Sequence, residues 1–591
     1  MSDPKRMYEN RIQLFLKEKQ GLIKRDNLFS IGRLVLFFAM LFIAIFIFQW
    51  NVFAGIAFIY LSISAFYFIV KNHDQIKTEK QVLQSLINLN EAEIKALDND
   101  NGSFANGARY MDDKHPFIMD LDLFGKKGLF EKINRCASIF GENQLASILK
   151  EHLHAEDIIA QQQANAELEN ELEWRQRFYA IGHQTEKNPE QIKHIFDWAA
   201  SKETFQMPLL WMILVPVLTI GAFIYLCISG NFNISWIAFI PTAYLTFKNA
   251  KRITAIQMSL SKHIKSIKTF SSLIKHIENK SFESKKLQNL QAVFLENNIP
   301  ASKHIKKLSF YLHQLDQRLN IFTAIFNLLF LWDHIWVNKI YHWKKDHANK
   351  IKLWFQTMGS FEALNSTAGL GFNNPSWCFP SISEEPNLEA IGIGHPLIHS
   401  DKMVTNDFKT ASKQHIKIIT GSNMGGKSTF LRTIGINGIL AYAGAKVCAE
   451  KLSIPMLQFY TSMRTKDDLS DNTSSFYAEL KRLKMVLEAV QSNDNIYFLL
   501  DEILKGTNTK DRHKGAKALI LELLKNKGAG LISTHDLELG KLEADHQEQI
   551  ENLCFEVETK GEELIFDYKI KKGISQSFNA TQLMKNIGID V

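Results

Sequence analysis

Paired cysteines are missing from this 591-residue chain. Its five cysteines, Cys136, Cys227, Cys378, Cys448 and Cys554, are scattered and show no CxxC spacing. That excludes a disulfide framework and a cysteine-based zinc site, and it fits a reducing compartment. Biased composition is missing too. With 46% hydrophobic, 22% charged and 11% aromatic residues, the chain is neither disordered nor fibrous, and its length implies several domains. No single sign of charge dominates: the formal net charge is +7. So mild an excess fits contact with nucleic acid or anionic lipid, and fits an ordinary solvated basic surface equally well.

Charge is absent altogether from two long apolar runs, Leu34 to Trp50 and Val52 to Val70, joined at Asn51. Each has the length of a bilayer-crossing helix. No small-residue cleavage site is evident and a second run follows at once, which argues against a cleaved signal peptide. A second uncharged pair lies at Leu209 to Ser229 and Phe232 to Phe247. The latter is short and contains Pro241, Thr242 and Thr246, so it reads either as a span or as one arm of a re-entrant hairpin. Lys5, Arg6, Arg11, Lys17, Lys19, Lys24, Arg25 and Arg33 precede the first run. Lys71, Lys77 and Lys80 follow the second, and Lys248, Lys251 and Arg252 follow the fourth. The intervening turns carry no Lys or Arg. The positive-inside rule therefore predicts a multi-pass protein of the inner (cytoplasmic) membrane, with the N-terminus, middle segment and C-terminal part in the cytoplasm.

The expected organisation is a basic segment over 1–33, a transmembrane hairpin over 34–70 and a polar helical region over 72–206. A second transmembrane or re-entrant hairpin follows over 207–247, then more helix over 248–385, and an α/β domain over 386–591. Ile321 to Trp332 is apolar but too short to span, and reads as a buried core helix. In the last region strand-like runs alternate with helical ones, the pattern of a mainly parallel sheet.

Ile416 to Thr420 is a short apolar strand. It is followed by Gly421, Ser422, Asn423, Met424, Gly425, Gly426, Lys427, Ser428 and Thr429, and then by a helical run. This is GxxxxGK(S/T) in its strand–loop–helix context. Glycines let backbone N–H groups curl around phosphate, and the helix N-terminus adds a favourable dipole. The residues from Gly421 to Thr429 are thus expected to bind ATP, with Lys427 on its β- and γ-phosphates and Ser428 on Mg²⁺. Some 70 residues on, an apolar strand ends in Asp501 and Glu502. Asp501 is expected to hold Mg²⁺, and Glu502 to polarise the attacking water. A further strand ends in His535, placed to bond the γ-phosphate or that water.

Together these segments resemble the MutS mismatch-repair ATPase family, within the ABC-type ATPases. The resemblance is specific over roughly 390–580. TGSNMGGKSTFLRTIG at 420–435 is similar to that family's P-loop, and DEILKGTNTKDR at 501–512 to its Asp-Glu segment. DDLSDNTSSFYAEL at 467–480 is similar to its signature segment and STHDLEL at 533–539 to its His switch. LDLFGKKGLFEKINRCAS at 121–138, WRQRFYAIG at 174–182 and FEALNSTAGLGF at 361–372 look like its helical core and the connection to its ATPase. The resemblance implies an all-α core domain preceding an α/β P-loop (ABC-type) ATPase domain, and the apolar runs add transmembrane helices before it, which the family does not have. It also implies a homodimer in which Ser474 reaches the opposite subunit's nucleotide. Three features depart from the family. Asn472 and Thr473 stand where it usually has Gly and Arg, its N-terminal mismatch-reading domain is not seen, and its C-terminal dimerisation element looks shortened. Phe294-Leu295-Glu296 has the spacing of the family's Phe-x-Glu wedge but lies in a helical stretch.

Two functional expectations follow. In one, a membrane-anchored MutS-like ATPase hydrolyses ATP in a composite dimer site and binds mismatched or branched DNA. Lys262, Lys265, Lys268, Lys275, Lys303, Lys306 and Lys307 would contact phosphate, or else form a solvated face. In the other, the dimerisation cycle moves transmembrane helices or a protein partner without DNA. The apolar pair at 209–247 interrupts the helical core, which places a membrane hairpin at or near the position of the family's DNA clamp.

Overall fold

The computed structural model describes residues 3–151, 153–184, 189–202, 205, 207–229, 236–296, 298–422, 425–464, 475–493, 495–560 and 563–576. Two long helices, α1 (Pro4–Trp50) and α2 (Val52–Leu97), form an antiparallel hairpin. Asn51 turns the chain, its side chain accepting hydrogen bonds from the N–H groups of Phe53 (2.8 Å) and Ala54 (3.2 Å). The apolar halves are exposed, and both helices continue as polar rods. There Phe15, Val82, Leu83 and Leu86 pack together against Ala180.

Short helices follow: α3 (Leu129–Ile133), α4 (Ile139–Lys150), α5 (Ala155–Glu169), α6 (Leu172–Gly182) and α7 (Pro189–Ala200). The apolar helix α8 (Leu209–Ser229) leads to α9 (Ile240–Ser261), whose apolar part ends at Phe247. Then come α10 (Ile264–Glu278), α11 (Lys285–Ala292), a two-residue hairpin of β1 (Leu295–Glu296) and β2 (Ile299–Pro300), and α12 (Ala301–Asp316). The short α13 (Ile321–Phe330) runs into α14 (Trp332–Asn373), a rod of 42 residues, about 63 Å long. Trp354, Phe355 and Phe361 of α14 anchor a core shared with α4, α6, α7, α9, α10 and α12. Among the described residues three helices, α1, α2 and α8, are long and apolar enough to cross a membrane.

One expectation changes at this level, and the coincidental reading of the Phe-x-Glu triplet stands. Ile321 to Trp332 is not a buried core helix: Ile325, Phe326 and Leu328 of α13 are exposed. The short apolar run was judged by length alone, and length does not reveal which face meets a neighbour. Phe294, in the wedge-like triplet, is only 1% exposed and cannot present its ring to a base.

The C-terminal region holds two sheets. A four-stranded one orders β3 (Ser381–Ser383), β7 (Lys451–Pro455), β4 (Asn387–Ile393) and β5 (Asn406–Ala411). A six-stranded one orders β12 (Glu563–Lys572), β11 (Ile550–Lys560), β6 (Ile416–Gly421), β10 (Ala529–Thr534), β9 (Ile496–Asp501) and β8 (Gln458–Ser462). All neighbours in the larger sheet are parallel except β11 and β12. Every residue of β6, β9 and β10 is buried, because helices cover both faces, which is why these strands read as continuous apolar runs. Those helices include α15 (Lys427–Tyr442), α16 (Ser475–Ser492) and α17 (Thr509–Lys525). Residues of the 117–158 segment, among them Leu121 and Leu145, share one core with α15 and the sheet.

Candidate nucleotide site

The site forms where parallel strands end beside a helix N-terminus. β6 closes on Gly421, at φ 144°, where a Cβ would meet the Phe555 carbonyl oxygen at 2.6 Å. Only glycine fits both demands. Gly426, at φ 101°, caps α15 and lets the helix begin at Lys427 with its first-turn N–H groups free for an anion. Asn423 and Met424 lie outside the described residues, as does Ser474 with the whole 465–474 segment. Among the described residues Ser422 Oγ, buried at the loop, has no hydrogen-bond partner.

Lys427 is 3% exposed. Its Nζ donates to the carbonyls of Gly421 (2.9 Å) and Ser422 (2.8 Å), which aims the ammonium into the loop. Burial pulls its pKa down to about 8, against the pull of Glu502 and Asp501.

The acidic pair is set by strand register. Ser533 on β10 stands opposite Asp501 on β9, and its hydroxyl donates to Asp501 Oδ1. Glu502 follows at φ 50°, a left-handed conformation unusual for this residue, with its N–H bonded to the Ser533 carbonyl at 3.0 Å. The turn swings its carboxylate to 2.7 Å from His535 Nε2. At that separation the proton sits on Nε2, so the 3.4 Å approach of the same nitrogen to Lys427 Nζ is not a hydrogen bond. His535 is the main reason that the Glu502 carboxyl is held down at about 2; Lys505, 3.3 Å away, adds to it. The structure thus brings Lys427, Asp501, Glu502 and His535 together at the strand ends, with Ser428 on the first turn of α15. The Ser428 hydroxyl and the Asp501 carboxylate are hard oxygen donors of the kind Mg²⁺ takes alongside water.

Several residues at the site carried no readable signal. A cavity of about 650 Å³ opens from the P-loop onto His395, Thr433, Phe555, Phe566 and Tyr568, an aromatic-lined space beyond the phosphate loop. Burial holds His395 neutral, its pKa near 4. Asn406 fixes one wall, donating to the Tyr568 carbonyl (3.1 Å) and accepting from the Ile570 N–H (2.9 Å). Glu479 on α16 is buried and accepts the Leu504 N–H, gripping the turn after Glu502. Asp120 accepts from Thr461 Oγ1 (2.7 Å) and from the N–H groups of Met463 (3.2 Å) and Arg464 (3.0 Å). Asp122 pairs with Arg464 through both oxygens (2.5 and 2.8 Å) and lies 3.4 Å from Arg432 of α15. The 116–122 segment therefore ties the P-loop helix to the chain that enters 465–474. Asp120 and Asp122 meet Thr461, Arg464 and Arg432 across more than 300 residues of sequence, a pairing that no local pattern announces.

Residues 417–589 match the family model for MutS domain V. The chain is 33% identical over 211 residues to the DNA mismatch repair protein MutS of Thermotoga petrophila, covering 35% of this chain and 26% of that protein. It is 34% identical over 195 residues to MutS protein homolog 4 of Mus musculus, covering 31% and 20%. Against the MutS of Acetivibrio thermocellus it is 31% identical over 248 residues, covering 41% and 28%. The chain thus spans about a quarter of the length of the curated relatives it matches.

Proposed function

The chain is a member of the MutS family, and from that premise we propose that it binds and hydrolyses Mg²⁺–ATP between the ATPase domains of a homodimer. The observation that carries this is the convergence of Lys427 and of the Glu502–His535 pair, 2.7 Å apart, at one end of the parallel sheet. Residues Gly421 to Thr429 wrap the phosphates and Lys427 neutralises them. Ser428 and Asp501 hold Mg²⁺, which supplies charge neutralisation at the β- and γ-oxygens when bound. Glu502, ionised and oriented by His535, positions the attacking water, and Ser474 completes the site from the opposite subunit. The aromatic-lined cavity takes the base.

In this reading the apolar helices α1, α2 and α8 anchor the protein in a bilayer, with the ATPase domain on the cytoplasmic side. DNA, mismatched or branched, is the proposed second partner. Lys268 and Lys275 on α10, with Lys303, Lys306 and Lys307 on α12, are exposed on helices that pack against each other, which supports a phosphate-binding face. The second reading, a membrane ATPase that moves its own helices or a protein partner, is favoured by the direct attachment of both anchors to the rod α14. ATP hydrolysis by the detergent-purified protein, with and without DNA at several salt concentrations, separates the two. Stimulation that falls steeply with salt and vanishes in Glu502→Gln supports DNA binding. Glu502-dependent hydrolysis indifferent to every DNA form removes it.

A further inference from the structure

Helix α13 is built inside out. Its polar residues Thr323 and Asn327, one turn apart, are buried, at 6% and 9% exposure. Its apolar residues Ile325, Phe326 and Leu328 face outward at 55%, 45% and 39%. A helix on a water-facing surface carries the opposite pattern.

The polar side is used at Asn327. Asn327 Nδ2 donates to Asp333 Oδ2 (3.1 Å), and Asn327 Oδ1 accepts the Asp333 N–H (3.2 Å), closing the corner at Leu331, where φ is 54°. The last turn of α13 leaves carbonyls without helical partners, and one is met by another element: Thr219 Oγ1, midway along α8 and 0% exposed, lies 2.8 Å from the Leu329 carbonyl, nearer than the Pro216 (3.0 Å) and Val215 (3.1 Å) carbonyls of its own helix. Satisfying a stray backbone carbonyl from a neighbouring helix is a requirement of a medium that offers no water. The outer face of α13 is continuous with that of α8, where Val217, Leu218 and Phe223 are exposed, and neither helix carries a charge. Cations follow the apolar part of α9: Lys248 lies over the exposed ring of Tyr244 (5.5 Å), and Lys251 and Arg252 come next, while Lys339 covers the buried Trp336 (4.3 Å). This is the arrangement expected where acyl chains give way to anionic headgroups.

We infer that α13 is embedded in the cytoplasmic leaflet beside α8, as a half-depth insertion that does not cross. Its 10 residues extend about 15 Å, half of the ~30 Å hydrocarbon core. The occupant of the exposed face is the acyl region of an anionic bilayer. This rests on the membrane-anchor reading above and extends it: the membrane contact is made by α8, the start of α9 and α13 together. Because α13 turns directly into α14 at Leu331, the rod α14 then runs from the leaflet to the ATPase domain.

The test is spin labelling of the full chain in phosphatidylcholine–phosphatidylglycerol vesicles, with Cys227→Ser and Cys378→Ser in every variant. Labels at Ile325→Cys and, independently, Leu328→Cys are compared with Phe46→Cys in α1 and Lys303→Cys on α12, each variant being checked for ATP hydrolysis. The expected result is high collision with oxygen and low collision with a water-soluble nickel chelate at 325, 328 and 46, and the reverse at 303. Nickel access at 325 and 328 with lipid behaviour at 46 overturns the inference and leaves the anchor reading standing. Low collision with both agents at 325 and 328 assigns the face to a protein contact instead and overturns it too. Nickel access at 46 as well defeats the anchor reading, and the inference with it.

Discussion

The Tyr8 hydroxyl donates a 2.6 Å hydrogen bond to Asn373 Oδ1, joining the first turns of α1 to the last residue of the rod α14. Asn373 in turn donates to Glu93 Oε2 (3.0 Å), and Glu93 receives Arg135 through both oxygens (2.6 and 2.9 Å). One network therefore holds α1, α2, α14 and the segment before α4, about 60 Å along α14 from its apolar end. Tyr8 is 1% exposed, and burial, reinforced by Glu93, pushes its pKa well above the ordinary tyrosine value, so it stays a donor.

Replacing Tyr8 with Phe keeps the ring contact with Phe372 and strands the Asn373 oxygen. Leaving one buried polar group unpaired costs about 1–3 kcal/mol. The loss is local, so amide exchange in the first turns of α1 is expected to accelerate by about tenfold or more, while ATP hydrolysis in detergent is retained. Unchanged exchange would mean that the hydroxyl contributes nothing to holding α1 on the rod.

Lys427 gives a prediction about protons. Its pKa near 8 in the free site must rise once a triphosphate lies against it. A cation whose pKa is raised on binding favours binding fully below its free pKa, and the gain is lost as pH climbs through the bound value. At pH 8 roughly half of the free molecules take up a proton, about 0.5 per ATP; at pH 6.5 the uptake is near zero. Calorimetric titration in buffers of different ionisation enthalpy reads this directly. Equal buffer dependence at the two pH values would show that Lys427 is already charged in the free site.

Asp120 tests whether the helical region shapes the ATPase site. It is 4% exposed and satisfies the Thr461 hydroxyl and two successive N–H groups, at Met463 and Arg464. Asp120→Ala is expected to lower kcat by about fivefold or more, the equivalent of ~1 kcal/mol, with KM for ATP little changed. Asp120→Asn, which keeps an acceptor, retains most of the rate. A rise in KM without loss of kcat would place the effect on nucleotide binding instead.

The sequence displayed the P-loop, the acidic strand end and His535 because each sits in a short motif with its own backbone logic: a Gly-rich turn before a helix, or an apolar strand ending in charge. Registers between strands were not legible, so the Ser533–Asp501 pairing and the turn at Glu502 appear only once β9 and β10 lie side by side. Asp122 and Glu479 lie inside the family-like segments 121–138 and 467–480 and Asp120 just outside one, but their roles were not legible, because a carboxylate looks the same whether solvated or gripping a distant loop. The apolar runs of α1, α2 and α8 stood out by length. α13 did not, since its exposure depends on which side its two polar residues, Thr323 and Asn327, happen to face.

The coupling of Glu502 to His535 keeps the Glu502 carboxyl ionised. The Glu502 carboxyl titrates near 2 instead of 4.5, first because of the bond to His535 and then through Lys505. A depressed carboxyl contributes stability that is present above its unfolded value and disappears as pH falls through its folded one. For Glu502 that window lies between about 4.5 and 2, below any working pH, so in the intact enzyme it is ionised throughout. An acid limb between pH 5 and 7 then belongs to another group. Removing the largest cause, in His535→Ala, is expected to move the Glu502 titration upward toward 4.5. The residual hydrolysis of that variant should fall off at a higher pH than the parent's own Glu502 limb allows, while Lys505→Ala, which leaves the His535 bond in place, should shift it less. If both variants keep the parent profile, the 2.7 Å pair does not govern the charge of Glu502.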